Sequence, residues 1–186
     1  MKAKKFYILM ILLMGVWLNA NAQTIYVLKS SKIHFFAGTP IEDIEAENSK
    51  STSFFDSKSG EIRLSIPMTS FKFKNSLMEE HFNENYLESE KYPKAEYVGK
   101  IINPEKYDFS KPNTFIVKVQ GDLTMHGVKK SKTIEVTINN KSQSFTANTK
   151  FDILLKDYNI ERPQLLWEKL SEVINVISTF DYSIYK

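Results

Sequence analysis

The sequence predicts an all-β fold, an antiparallel sandwich or barrel. Apolar and polar residues alternate with a period of two through most of the chain, as expected for strands with one buried face. Gly, Asn, Ser and Pro residues separate these segments, and little helical periodicity lies between them. The chain contains no cysteine, so its core, and not disulfides, must stabilise the fold.

The first 22 residues are predicted to form a secretory signal peptide. Lysines near the N-terminus precede an apolar run from Phe6 to Leu18, and the small residues Ala20-Asn21-Ala22 follow. The run is about 13 residues long, shorter than the roughly 20 that a membrane-spanning helix needs. We therefore expect cleavage before Gln23 and a mature protein that is periplasmic or secreted.

The mature chain, residues 23–186, is predicted to be one barrel domain with a balanced charge. The full sequence has 25 basic and 22 acidic residues, and the predicted signal peptide contributes only basic ones. The mature chain is therefore close to neutral and has no basic stripe, which argues against a nucleic-acid-binding surface. No later segment is long and apolar enough to span a membrane.

The clearest strand lies between Thr114 and His126. Its apolar residues share one parity, and polar residues occupy the other. A second alternating segment follows from Thr133 to Ile138, so the two are predicted to form a hairpin that turns near His126-Gly127. The apolar parity of the first strand consists of Phe115, Val117, Val119, Gly121, Leu123 and Met125.

Further strands are predicted by the same alternation. The last of them is apolar on both parities, so we expect it to be covered on both sides at one end. These segments are Thr24–Lys29, Lys32–Ala37, Ile44–Phe55, Gly60–Met68, Lys94–Ile102, Phe145–Leu155 and Glu172–Tyr185.

Two short helices are predicted among the strands. The first begins at Ser76, which opens a serine-x-x-glutamate capping box. Met78, Phe82 and Tyr86 recur at i, i+4 and i+8, so they form one apolar stripe that docks on the β-structure. The second helix is predicted at Arg162–Leu170.

The three histidines form no recognisable catalytic or metal motif. His81 and Glu84 stand at i, i+3 on the predicted helix, and together with His34 and His126 they would suffice for a zinc site. However, parity places His126 on the polar face of its strand, and the sequence contains no H-E-x-x-H. It also contains no G-x-S-x-G elbow and no cysteine nucleophile. We therefore predict no catalytic residues and no metal ligands.

Three segments resemble the YceI-like family of exported bacterial proteins. They are SLMEEHFNENYLESEKYPKAEYVGKI, GDLTMHGVKKSKTIEVTI and KDYNIERPQLLWEKLSEVINVISTFDY. The resemblance implies an extended, lipocalin-like antiparallel barrel of eight strands with one or two short helices near its mouth. In characterised members, such a barrel holds an elongated isoprenoid chain. The segment from Ala37 to Lys58 is more polar and poorer in glycine than the family pattern, which leaves the choice of ligand open.

The expected function is therefore binding without chemistry and without a cofactor. The expected ligand is a small hydrophobic or amphiphilic molecule such as an isoprenoid lipid or quinone, held by apolar burial. The candidate lining residues, chosen by inward parity, are Tyr97, Ile101, Val117, Val119, Leu123, Met125, Phe151 and Ile153. The candidate residues closing the mouth are Met78, Phe82, Tyr86 and Trp167.

Two other classes of function stay open at this point. A barrel whose interior is filled by its own side chains would instead serve as a structural or interaction protein. An exposed apolar patch would then mark the partner surface. A hydrolase or isomerase acting on a lipid-like substrate would need a histidine inside the cavity beside a carboxylate. The sequence also leaves the oligomeric state open, a homodimer included.

Overall fold

The structure, a computed structural model, describes residues 24–162 and 168–185. The predicted signal peptide and its cleavage site lie outside this range. Ten antiparallel strands form one sheet in the described part of the chain. They are β1 (Ile25–Phe36), β2 (Glu45–Asn48), β3 (Thr52–Asp56), β4 (Glu61–Pro67), β5 (Lys72–Phe73), β6 (Lys94–Ile101), β7 (Asn113–Met125), β8 (Val128–Asn140), β9 (Ser144–Leu154) and β10 (Val173–Ile184).

Eight of these strands close into an antiparallel barrel, so the predicted fold class is confirmed. The strand order is β10-β9-β8-β7-β6-β4-β3-β1, and pairing between β1 and β10 closes the ring. The short strands β2 and β5 extend the wall beside the second half of β1. Inward-facing residues alternate with outward-facing ones along each long strand, because successive side chains of a strand point to opposite faces.

Two predicted strand boundaries are wrong. The segments 24–29 and 32–37 form the single strand β1, because Ser30 and Ser31 pair with β10 and only a bulge at Lys29 interrupts the register. The segment 44–55 is two strands. The buried Asn48 side chain donates to the Pro67 carbonyl and accepts from the Lys50 amide, both at 2.8 Å, which turns the chain after β2.

The hairpin between β7 and β8 turns at His126 and Gly127, as predicted. Both residues have positive φ, 50° and 73°, which is the backbone of a type I′ turn. The His126 ring is nearly buried. Its Nδ1 lies 2.9 Å from the Tyr158 carbonyl oxygen and its Nε2 lies 2.8 Å from a Glu88 carboxylate oxygen. His126 thereby joins the hairpin tip to two neighbouring segments.

The first predicted helix exists, but its capping box is wrong. Helix α1 spans Ser76–His81 and continues as a π-helical turn from Phe82 to Tyr86. Asn75 caps it by accepting from the Leu77 amide at 2.9 Å. Glu79 instead accepts from the Phe73 amide at 3.2 Å and pairs with Lys72, which ties the helix to β5.

The second predicted helix falls largely outside the described residues, since residues 163–167 are not part of them. No helix within the described segments is long and apolar enough to cross a membrane.

One end of the barrel is closed by a cluster of aromatic side chains, named here the aromatic plug. Ring centroids within it lie 4.6–6.3 Å apart. The phenol of Tyr26 donates to the Ser142 carbonyl at 2.7 Å, and the buried Asn140 amide donates to the carbonyls of Phe109 and Lys111. These bonds hold the connecting loops over the end. The plug consists of Tyr26, Phe55, Phe109, Phe115, Phe145 and Tyr182.

Candidate functional site

The barrel encloses a cavity of about 310 Å³ whose wall is almost entirely apolar. This volume lies in the range of about 300–1,000 Å³ that is typical of small-molecule sites. The cavity extends from the aromatic plug to the opposite end of the barrel, where α1 and the loop 37–44 contribute to its wall. We call that end the mouth. A deep apolar cavity that runs along the barrel can take up an elongated apolar molecule.

The structure places all of the predicted lining residues at the cavity except Val117. Val117 is buried, with 1% of its surface exposed, but it does not line the cavity. It lies two positions from Phe115 of the plug, so neighbouring side chains fill the space around it. The residues at the wall are Tyr97, Ile101, Val119, Leu123, Met125, Phe151 and Ile153.

The helical residues predicted at the mouth also line the cavity. Met78, Phe82 and Tyr86 all contribute to its wall. The Phe82 ring holds the helical segment in place, since its centroid lies 5.7 Å from that of Phe35 and 5.1 Å from that of Phe73. Trp167, the other residue predicted at the mouth, lies outside the described residues.

Sequence reasoning missed the wall formed by β1 and β10. Inward residues of both strands line the cavity across the seam where the barrel closes. The strand β10 is apolar on both parities, so its sequence did not reveal which parity faces inward. The missed residues include Ile33, Phe35, Ile174, Val176, Ser178 and Phe180.

Charged groups lie at the mouth and not in the depth of the cavity. Glu42 and Lys169 both contribute to the wall there, and their side chains approach to 3.4 Å. The Thr39 hydroxyl donates to the Glu168 carbonyl at 2.6 Å, which joins the loop 37–44 to the segment before β10. The polar segment that departs from the family pattern thus forms part of the rim.

The three histidines lie apart from one another. His34 pairs with Glu45 at 3.0 Å on the outer face, between the inward-facing Ile33 and Phe35. His126 is held at the hairpin tip, and the exposed His81 is at the mouth. Among the described residues, no group of three or more potential ligands could hold a metal ion.

Two tyrosines of the wall carry hydroxyl groups that are buried and hydrogen-bonded. Burial raises the pKa of Tyr182 to about 12. Burial, with a smaller contribution from the Asp122 carboxylate, raises the pKa of Tyr97 to about 12. The Tyr182 hydroxyl donates to the Ser53 hydroxyl at 2.7 Å, and the Tyr97 hydroxyl lies 3.1 Å from the carbonyls of Val119 and Lys132. Both phenols therefore favour the neutral form in the folded barrel.

Alkaline solution is expected to destabilise the protein through these tyrosines. The stabilising effect of a neutral buried phenol is complete below the unfolded-state pKa near 10 and is lost as pH rises through the folded value near 12. The free energy of unfolding should fall by roughly 1.4 kcal/mol per pH unit for each group in this window.

Denaturant titrations of the wild type and Tyr182→Phe between pH 9 and 12 test this expectation. The variant should show a shallower loss of stability, whereas Tyr185→Phe, at a residue 69% exposed, should match the wild type. Equal slopes for all three proteins would contradict the assignment.

The model of the YceI-like domain matches residues 26–180. The chain belongs to the YceI-like family. Among proteins with curated descriptions, none matches this sequence.

Several solved structures share the YceI-like barrel. A polyisoprenoid binding domain from Saccharophagus degradans, implicated in plant cell wall breakdown, superposes with a TM-score of 0.75 at 15% identity, covering 86% of this chain and 98% of that one. Burkholderia cenocepacia BcnA gives a TM-score of 0.67 at 17% identity, with coverages of 81% and 95%. The Campylobacter jejuni YCEI protein gives 0.53 at 18% identity, with coverages of 71% and 78%. At these identities the likeness establishes the fold.

Proposed function

We propose that this protein is an exported binding protein that holds one isoprenoid lipid or prenyl quinone inside its barrel, as a carrier or by sequestration. The observation that carries the proposal is the apolar cavity that runs along the barrel and ends at the aromatic plug. Each Å² of apolar ligand surface removed from water contributes roughly 25 cal/mol. The polyisoprenoid-binding domain among the structural neighbours supports this ligand class.

The dimensions of the cavity favour an elongated ligand. Inward residues of β10 line it from Ile174 to Tyr182, and strands rise about 3.4 Å per residue. With a strand tilt of about 35–45° in a barrel, the lined length along the axis is roughly 20 Å. A linear, methyl-branched chain fits this shape, because the wall along this length is almost entirely apolar.

The proposal assigns binding and no chemistry to the site. His34 faces outward, and His126 is engaged by Tyr158 and Glu88. Glu42 and the exposed His81 line the cavity at its mouth. In its depth the site offers an apolar wall, where a hydrolase or isomerase would need a base next to the bound chain.

Export of the protein is part of the same proposal. The N-terminal pattern of lysines, an apolar run and a small-residue site supports cleavage before Gln23. An isoprenoid is poorly soluble in water, so a barrel that encloses it would serve in the periplasm or outside the cell.

Stabilisation by added ligand tests the proposed function. Geranylgeraniol should raise the free energy of unfolding of the mature chain, because a ligand that binds only the folded state stabilises it by about 2.7 kcal/mol at one hundred times its Kd. Isoprenol, with a single prenyl unit, should have little effect, since it fills little of the cavity. An unfolding midpoint that geranylgeraniol does not shift up to its solubility limit would contradict the proposal.

A further inference from the structure

A pair of hydroxyl side chains interrupts the apolar wall about halfway along the barrel. Ser178 of β10 and Thr149 of β9 are direct cross-strand partners, and both line the cavity. The inward residues on either side along β10 are Val176 and Phe180. Direct partners of this kind have Cβ atoms about 4.5–5.5 Å apart. The two hydroxyl groups therefore form one polar spot in the middle of the wall, away from the charged groups at the mouth.

The hydrogen-bonding capacity of this spot is only partly used. The Thr149 hydroxyl donates to the Glu135 carbonyl at 2.8 Å, so it cannot donate to a ligand as well. Ser178 is 3% exposed, and its hydroxyl makes no hydrogen bond to any residue of the segments 24–162 and 168–185. A hydroxyl that borders an apolar cavity without a protein partner is unfavourable unless water or a ligand completes its hydrogen bonds. An alanine would occupy nearly the same volume without that cost, as Ala147 does two positions before Thr149 on the same face.

We infer that Ser178 is a specificity-determining residue, whose hydroxyl donates to an oxygen atom of the bound lipid. The inference rests on the proposed function and names the ligand more closely. The ligand is an isoprenoid that carries a hydroxyl or carbonyl oxygen and is not a plain hydrocarbon. A ligand hydroxyl accepts from Ser178 and can donate to the free lone pair of Thr149, and a carbonyl accepts from Ser178 alone.

The depth of the polar spot determines where the oxygen atom of the ligand lies. Ser178 lies four residues from Ile174 near the mouth and four residues from Tyr182 in the plug. The oxygen of the ligand is therefore drawn into the barrel and does not stay among Glu42 and Lys169 at the rim. A bulky charged head group, such as a diphosphate, does not fit this position because the surrounding wall is apolar and contains no cation.

The inference is tested with phytanol and phytane, two branched chains that differ only in the terminal hydroxyl. Dissociation constants of both are measured for the wild type and for Ser178→Ala. The preference for phytanol over phytane should fall about tenfold in the variant, the value of one hydrogen bond. The affinity for phytane should not fall, because the variant removes only the oxygen atom and keeps the apolar contacts.

Control variants distinguish the loss of the Ser178 hydroxyl from an effect on folding. Ser183→Ala, a serine-to-alanine change on the outward parity of the same strand, should leave the preference intact. Ser178→Thr should retain it, and Ser178→Cys, a nearly isosteric change to a weak donor, should lose it even if the alanine variant is poorly folded.

The possible outcomes distinguish the two proposals. Binding of both lipids with a preference that is the same in wild type, Ser178→Ala and Ser178→Cys would overturn the role of Ser178 and leave the lipid-binding function standing. Failure of the wild type to bind either lipid would overturn the proposed function itself. A preference that falls in both Ser178 variants and is retained in Ser183→Ala supports the inference.

Discussion

Alanine at position 121 is expected to destabilise the barrel by about 3 kcal/mol or more, at the upper end of overpacking effects. Gly121 of β7 pairs directly with Gly99 of β6. A Cβ atom on Gly121 would lie 2.4 Å from the Gly99 Cα and 2.4 Å from the Val98 carbonyl oxygen. Both obstacles are backbone atoms, so no side chain can move aside to relieve the contact.

The same close approach also shapes the cavity. A Cβ atom on Gly99 would lie 2.8 Å from the Tyr97 ring, so that ring occupies the space above the glycine and faces the cavity. Separation of β6 from β7 would displace this ring and the wall around it. Gly121→Ala should therefore weaken ligand binding as well as stability.

Denaturant unfolding of Gly121→Ala measures the effect. Gln120→Ala is the matched control, because the neighbouring residue is exposed on the outer face of β7. The control should change the free energy of unfolding by no more than about 0.5 kcal/mol. A Gly121→Ala midpoint equal to that of the control would show that the strands are not in close contact at this pair.

Tryptophan at position 147 is expected to abolish ligand binding while the barrel remains folded. Ala147 lies on the inner face of β9, opposite Phe180 and Ile138, and lines the cavity. An indole at this position extends into the empty space and occupies the volume of part of the ligand chain. We expect a loss of at least roughly a hundredfold in affinity for geranylgeraniol, or about 2.7 kcal/mol.

The stability of Ala147→Trp distinguishes filling of the cavity from disruption of the barrel. The cost of overpacking, about 1–3 kcal/mol in a dense core, should be reduced here because the site borders a cavity. Asn148→Trp is the control, since this adjacent residue is exposed on the outer face of the same strand. It should bind geranylgeraniol like the wild type. Unchanged affinity in a folded Ala147→Trp variant would place the ligand outside the barrel.

The parts of the fold that follow from local patterns could be predicted from the sequence. The alternation in β7 and the turn at His126-Gly127 involve adjacent residues, so the strand, its inward parity and the hairpin all follow from the sequence. The boundaries at Lys29 and Asn48 could not be predicted in this way. They depend on pairing with β10 and on a hydrogen bond to Pro67, and both partners are distant in sequence.

The helix start shows the same limit. Glu79 has the spacing of a capping box, but its carboxylate is engaged by Lys72 and the Phe73 amide of the neighbouring strand. Asn75, one residue before the predicted cap Ser76, caps the helix instead. Tertiary contacts of β5 thus decide which side chain caps the helix.

The candidate site was partly accessible to sequence analysis. Inward parity identified residues such as Leu123 and Ile153, but parity does not show whether the space between them is hollow. Phe109 of the aromatic plug lies in a loop without periodicity, so its role in closing the barrel had no sequence signal. Ser178 lies in a strand that is apolar on both parities, which concealed its inward orientation.

Native mass spectrometry of the mature protein, purified without detergent from its own host, tests the central claim most directly. We expect one bound lipid per chain, identified after solvent extraction as an isoprenoid that carries a hydroxyl or carbonyl oxygen. The same adduct should be absent from Ala147→Trp and present in Asn148→Trp. A protein that has only its ligand-free mass, and that takes up no added geranylgeraniol, would contradict the account.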